Sequence, residues 1–350
     1  MCKLIAHSVI FAVSFYRFKK GVFSLRVTPG IKERMQAEVT SDKVDAMVKA
    51  TVTIDDYDDK HFAMQGKLND WYVAFRPNQM LSLEMHRGTF ADGSYLPIYD
   101  DNLGAGNIGS EGFTVIATPV ENLRLGVTAP FAFDGSDPKD NPENANWING
   151  KEEDGQQENF NAGIGAIFDA ELFQIGGTVQ DVLDSDERQI GAYINLPGLL
   201  GTAESITIGA GFAHSENWKT SFDDLISVGV EGGLEYRNLL SAYATIDTGK
   251  FTINAEMLYN LSDDDKASVY DFYSAASLSI VPVEKVTATA TGKMLVDLKD
   301  KGDTEKSILM SGFALDYDFD DHNSFGAEFD IALKDKDWGV AIPVYWKYSF

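Results

Sequence analysis

The chain has 350 residues, 29 of them basic and 54 acidic, giving a formal net charge of −25. That balance excludes a nucleic-acid-binding protein, which needs a basic footprint. With 44% apolar and 12% aromatic residues the chain is no disordered tail, and its single cysteine, Cys2, excludes a disulfide framework and a cysteine-based metal centre.

The N-terminus holds the longest apolar run, LIAHSVIFAVSFY at residues 4–16. It is shorter than the ~18 residues a membrane-crossing helix needs. Its length suits a signal-peptide core. However, the basic cluster Arg17, Lys19 and Lys20 follows the run instead of preceding it, and no A-x-A cleavage site is present. Residues 1–20 therefore have two readings, a signal-peptide remnant or a short first segment. Residues 21–350 form the body of the fold.

From residue 44 onward, apolar residues recur at every second position. Val44, Ala46, Val48, Ala50, Val52 and Ile54 alternate with Asp45, Lys49, Thr51, Thr53 and Asp55. In LSLEMHRG, His86 shares the polar face with Ser82 and Glu84. A Ser–His–acid set could act on an ester, but no nucleophile motif accompanies it. None of the five histidines has metal-ligand spacing. Residues 89–111 are a Gly-rich segment carrying Asp92, Asp100, Asp101 and Glu111. Leu123, Leu125, Val127, Ala129, Phe131 and Phe133 then alternate with Arg124, Gly126, Thr128 and Asp134. Residues 134–157 are dominated by Pro, Asn, Asp and Gly and read as a flexible loop.

The rule holds downstream. Phe251, Ile253, Ala255, Met257 and Tyr259 face one way; Thr252, Asn254, Glu256 and Asn260 face the other. Val286, Ala288, Ala290, Met294 and Val296 oppose Lys285, Thr287, Thr289, Thr291, Lys293 and Asp297. Leu309, Phe313, Leu315, Tyr317 and Phe319 oppose Gly312, Ala314, Asp316 and Asp318. Phe325, Ala327, Phe329, Ile331 and Leu333 oppose Gly326, Glu328, Asp330, Ala332 and Lys334. A helix would space its apolar residues three and four apart, so these are strands. Acidic clusters such as Asp184, Asp186, Glu187 and Asp263, Asp264, Asp265 lack EF-hand spacing and read as solvated turns.

Connections are of two kinds. Those near 120–122, 169–171 and 282–284 are short; those at 89–111, 134–157, 214–223, 261–267 and 298–306 are long and polar. The alternation slips between 214 and 250, where two successive turns look short. The count of strands is therefore 16 or 18.

The last eleven residues, VAIPVYWKYSF, place Val340, Ile342, Val344, Trp346, Tyr348 and Phe350 on one face. This segment resembles the C-terminal strand of bacterial outer-membrane β-barrels. The resemblance implies that Phe350, Tyr348 and Trp346 form a signal read by the barrel-assembly machinery. The whole-chain pattern resembles a porin-type barrel of a Gram-negative or spirochaete outer membrane. It implies an all-β fold, a single transmembrane antiparallel β-barrel of 16–18 strands, closed by its last strand against an early one.

The resemblance also carries an expected function: passive diffusion of small hydrophilic solutes, with outer-membrane lipid around the barrel and a homo-oligomer as a compatible state. The acidic lining favours cations. No catalytic residue, cofactor or metal is expected. In porins an early long loop folds into the lumen beside acidic residues and faces basic wall residues. Carried over, this makes Asp100 and Asp101 the constriction acids and Lys49, Arg76, Arg87 and Arg124 the wall bases. Two other readings are a transporter barrel for hydrophobic compounds and a structural or adhesive surface barrel.

Overall fold

The computed structural model describes residues 2–7, 12–18, 22–28, 31–58, 61–85, 94–99, 101–103, 112–130, 162–180, 182, 188–198, 205–216, 221–230, 232–262, 270–299, 307–320, 323–334 and 337–348. Strands make up all the regular structure among them. They are β1 (Cys2–His7), β2 (Ala12–Phe18), β3 (Val22–Thr28), β4 (Ile31–Thr40), β5 (Val44–Asp58), β6 (His61–Asn78), β7 (Leu81–Met85), β8 (Ser94–Leu96) and β9 (Asp101–Leu103). Next come β10 (Gly112–Val120), β11 (Leu123–Pro130), β12 (Gly163–Asp169), β13 (Gln174–Gln180), β14 (Gln189–Leu196), β15 (Ser205–Ser215), β16 (Ser221–Ile226) and β17 (Gly232–Glu235). The rest are β18 (Asn238–Asp247), β19 (Phe251–Asn260), β20 (Phe272–Val283), β21 (Val286–Val296), β22 (Ser307–Asp318), β23 (Asn323–Lys334), β24 (Asp337–Ala341) and β25 (Val344–Tyr348).

One sheet holds nineteen of these strands. Its antiparallel ladders run from β1 to β4, through β5, β6 and β7 to β10, and on in chain order to β15. They then pass to β18 and continue to β23. Both β24 and β25 pair with β23, on either side of Ile342 and Pro343. A proline lacks the N–H of the ladder, so the last strand is interrupted there, and β24 and β25 occupy one position. Counting them once leaves eighteen wall strands among the described residues, an even number as expected for a single-chain barrel. Among the described residues no ladder joins the two ends of the sheet. The last strand pairs with β23, and β2 runs beside it, so the expected pairing with an early strand is present as proximity only.

The two faces differ as the alternation requires. Leu125, Val127, Phe313, Phe329 and Trp346 are 41%, 56%, 53%, 47% and 39% exposed. Their neighbours in sequence on the opposite face, such as Thr128, Gly126 and Asp330, are buried. A soluble sandwich would do the reverse and bury the aromatic face between two sheets. Here the apolar face points away from the enclosed side, where lipid would meet it. Strands β18 to β23 are 10 to 12 residues long, enough to cross a bilayer when tilted.

The irregularity between residues 214 and 250 has a structural cause. β16 and β17 pair only with each other, as a separate two-stranded sheet. They are a hairpin set off from the wall, within a stretch whose first part reads from sequence as a plain polar loop. Residues Cys2–His7 form β1 on the edge of the main sheet.

Candidate functional site

Six strands in a row break the polar rule of the inward face at one end of the wall, the end where long connections join β19 to β20 and β21 to β22. Leu239, Leu258, Tyr273, Leu295, Ile308 and Ala332 all point inward and are completely buried. In a water-filled barrel each would be wetted. They are covered instead by Leu225, Ile226, Val228, Val230, Leu234 and Tyr236 of the β16–β17 hairpin and its flanks, in one apolar cluster. The hairpin therefore folds into the lumen. Its tip crosses to the last strand: Gly229 takes a left-handed φ of 71°, and Gly339 of β24 lies directly against the Val228 carbonyl.

That approach leaves no room for a side chain, because the obstacle is backbone and cannot rotate away. Gly339→Ala is expected to cost about 1–3 kcal/mol in a urea titration of the refolded barrel. Gly292→Ala, where an added methyl meets open space, should be close to neutral. Equal effects at the two positions would mean the tip does not press on β24.

The neck of the hairpin is closed by polar contacts. Arg237 Nη2 donates to Glu216 Oε2. His214 contacts Glu216 Oε1 through Nε2 at 3.0 Å and Asn238 Oδ1 through Nδ1 at 2.8 Å. The Ser215 N–H donates to the Arg237 carbonyl at 2.9 Å. The hydrogen bond from His214 and then that from Arg237 hold the Glu216 carboxyl below its ordinary value of 4.5. A depressed carboxylate stabilises the fold above its unfolded pKa and loses that contribution as pH falls through the folded value. Unfolding titrations of the native chain should thus show a small loss below pH 4.5 that Glu216→Gln lacks. Identical acid profiles would remove Glu216 from the neck. This exposed contact is minor beside the apolar cluster, where each buried side chain is worth about 1.5–3 kcal/mol.

The early long loop also enters the lumen in its described part. Leu96 is completely buried in the same cluster, and β8 lies against β14, β15 and β18. The Ile98 N–H donates to Glu256 Oε2 at 2.6 Å, and the Tyr273 hydroxyl donates to Glu256 Oε1 at 2.8 Å. Of the expected constriction acids, Asp101 pairs through its backbone with Leu96, while its side chain and all of Asp100 lie outside the described residues.

Two of the four expected wall bases come together. Arg76 and Arg124 line one cavity of about 570 Å³, with Lys43, Glu84 and Ser82. The cavity sits beside the short turns at residues 41–43 and 79–80, and no residue of the 94–99 segment lines it. Arg76 is 3.5 Å from Asp45, which also accepts from the Tyr72 hydroxyl at 3.3 Å. Lys49 pairs with Gln36 and Asp70 through its backbone, and its side chain, like Arg87, lies outside the described residues. His86 does too; Ser82 Oγ donates to Glu84 Oε1 at 2.9 Å. Among the described residues no three His, Cys, Asp or Glu side chains are grouped to hold a metal ion. At the C-terminus Trp346 faces outward and donates to Asn323 Oδ1 at 3.2 Å. Tyr348 pairs with Asn323 along the backbone. Phe350 lies outside the described residues.

No protein family matches the sequence, and no curated protein is similar to it. Solved structures do match. OpdL of Pseudomonas aeruginosa is 10% identical, with 100% of this chain and 98% of that one covered and a TM-score of 0.61. OccAB4 of Acinetobacter baumannii is 8% identical over 99% and 97%, with a TM-score of 0.58. A triple mutant of Rhodopseudomonas blastica porin is 13% identical over the whole of both chains, at 0.51. Identities this low show the fold alone. The wall strands, the apolar outer face and these full-length matches show that the chain has a porin-like β-barrel fold.

Proposed function

We propose that the protein is an outer-membrane channel for passive diffusion of small hydrophilic solutes, with a preference for cations. The observation that carries this reading is the arrangement of the faces: apolar side chains outward around the sheet, polar and charged ones inward. The likeness in fold to solved porins over the full chain supports it. Among the described residues of the wall strands, inward-facing acids, such as Asp45, Glu84, Glu256, Asp316, Glu328 and Asp330, outnumber the inward bases Arg76, Arg124, Lys293 and Lys334. Fixed charge on a narrow, low-dielectric wall raises the local concentration of its counter-ion.

Swelling of vesicles containing the refolded protein tests the channel. Small sugars should enter and large ones should not; vesicles that stay impermeable to every solute would contradict it. A potassium chloride gradient tests the preference. The reversal potential should favour potassium and decline with rising salt. Asp100→Asn with Asp101→Asn should move it toward zero if these acids edge the passage. An unchanged potential would place them away from it.

A further inference from the structure

The hairpin and the Leu96–Tyr99 segment cover only one side of the interior. Their apolar cluster takes its wall partners from β15 and from β18 to β23, with the tip at β24. No described residue of β5, β6, β7, β10 or β11 belongs to it. The hairpin is a fixed partition and no loose gate, because burial of its apolar side chains far outweighs the exposed neck contacts. On the side that no described residue of the cluster covers lies the cavity of about 570 Å³ at the short-turn rim.

Charges around that cavity are unequally engaged. Arg76 is paired with Asp45, and Glu84 is bound by Ser82. Asp42 also lines the rim. Among the described residues no ion pair or side-chain hydrogen bond engages Lys43 or Arg124. Their fields are therefore available to whatever passes between them.

We infer that solutes cross this barrel off its axis, along the wall of β5 to β7 and β10 to β11, and leave through the short-turn cavity, where Lys43 and Arg124 are the specificity-determining charges. This rests on the channel reading above and adds a route to it. The interior acids draw cations in, while the two exit bases oppose them. A unit charge about 10 Å from the path in water changes an ion's occupancy about two-fold. Lys43→Gln and Arg124→Gln each act on potassium and chloride with opposite sign, so each is expected to raise the potassium-to-chloride permeability ratio about four-fold at low salt.

The route itself is tested by single cysteines in a Cys2→Ser background, which removes the only native thiol. Each refolded variant is held in a planar bilayer and treated with a charged methanethiosulfonate. Ser82→Cys and Arg124→Cys line the proposed exit, so modification should cut the current. Ala275→Cys and Ala332→Cys lie behind the partition, so their currents should not change. Three of these are small substitutions, and Arg124 has no ion pair or side-chain hydrogen bond among the described residues to lose, so the barrel should tolerate all four. Current lost at Ala275→Cys or Ala332→Cys, or none lost at Ser82→Cys and Arg124→Cys, overturns the off-axis route and leaves the channel standing. A refolded barrel that passes no current overturns the channel and the route together.

Discussion

Removing the inward hairpin is expected to widen the passage. Replacing residues 219–234 with a two-glycine turn keeps Glu216 and Arg237 at the neck and takes away the strands that fill one side of the lumen. A pair of strands with their side chains occupies a layer about 10 Å thick, so single-channel conductance should rise about two-fold or more. The same change should weaken the barrel. Leu258, Leu295 and Ile308, now buried, would meet water, each at a cost of about 1.5–3 kcal/mol. Conductance and the urea midpoint should therefore move in opposite directions. Unchanged conductance in the shortened protein would show that the hairpin lies outside the conducting space.

A charge on the outer face is expected to have the largest effect on stability. Phe313 sits in the middle of β22, is 53% exposed, and pairs with Ala290 and Phe329 of the flanking strands. In lipid that position lies near the bilayer midplane, where lysine costs about 2–4 kcal/mol. Phe313→Lys should lower the folding free energy by that amount in a urea titration of refolding into vesicles. Ala314→Lys is one residue away but faces inward, beside Glu328 in register, and should cost less than about 1 kcal/mol. The opposite ranking would mean that the faces are assigned the wrong way round.

The wall was legible in the sequence because one rule, apolar outward and polar inward, runs through strand after strand. Phe325, Phe329 and Leu333 of β23 and Phe313 and Leu315 of β22 alternate with polar neighbours, and the structure exposes all of them. The hairpin was not legible in the same way. Its Leu225, Ile226, Val228 and Val230 resemble the residues of a wall strand. What directs them inward is long-range: the glycine at 339 and the apolar surface of Leu295 and Ile308, far away in sequence. The signal that could have found it was present, since inward positions at one end of the wall turn apolar in strand after strand, from Leu239 to Ala332.

The candidate site was legible in part. The position and composition of residues 89–111 pointed to a loop that enters the lumen, and Leu96 to Tyr99 lie there. Its visible partner is an acid, Glu256, and not the expected bases. Reasoning from charged side chains alone overlooked backbone N–H groups, which need acceptors once a loop is buried. Arg76 and Arg124 come together because β6 pairs with β7, β11 pairs with β10, and β7 and β10 pair with each other. Strand order of that kind cannot be counted from either residue's local pattern.

The central claim is that the polar inward face encloses a water-filled path. The most direct measurement is the single-channel conductance of refolded protein in a planar bilayer. Stable open steps, growing with salt concentration, are the predicted result. Correctly folded protein that inserts but stays electrically silent would contradict it.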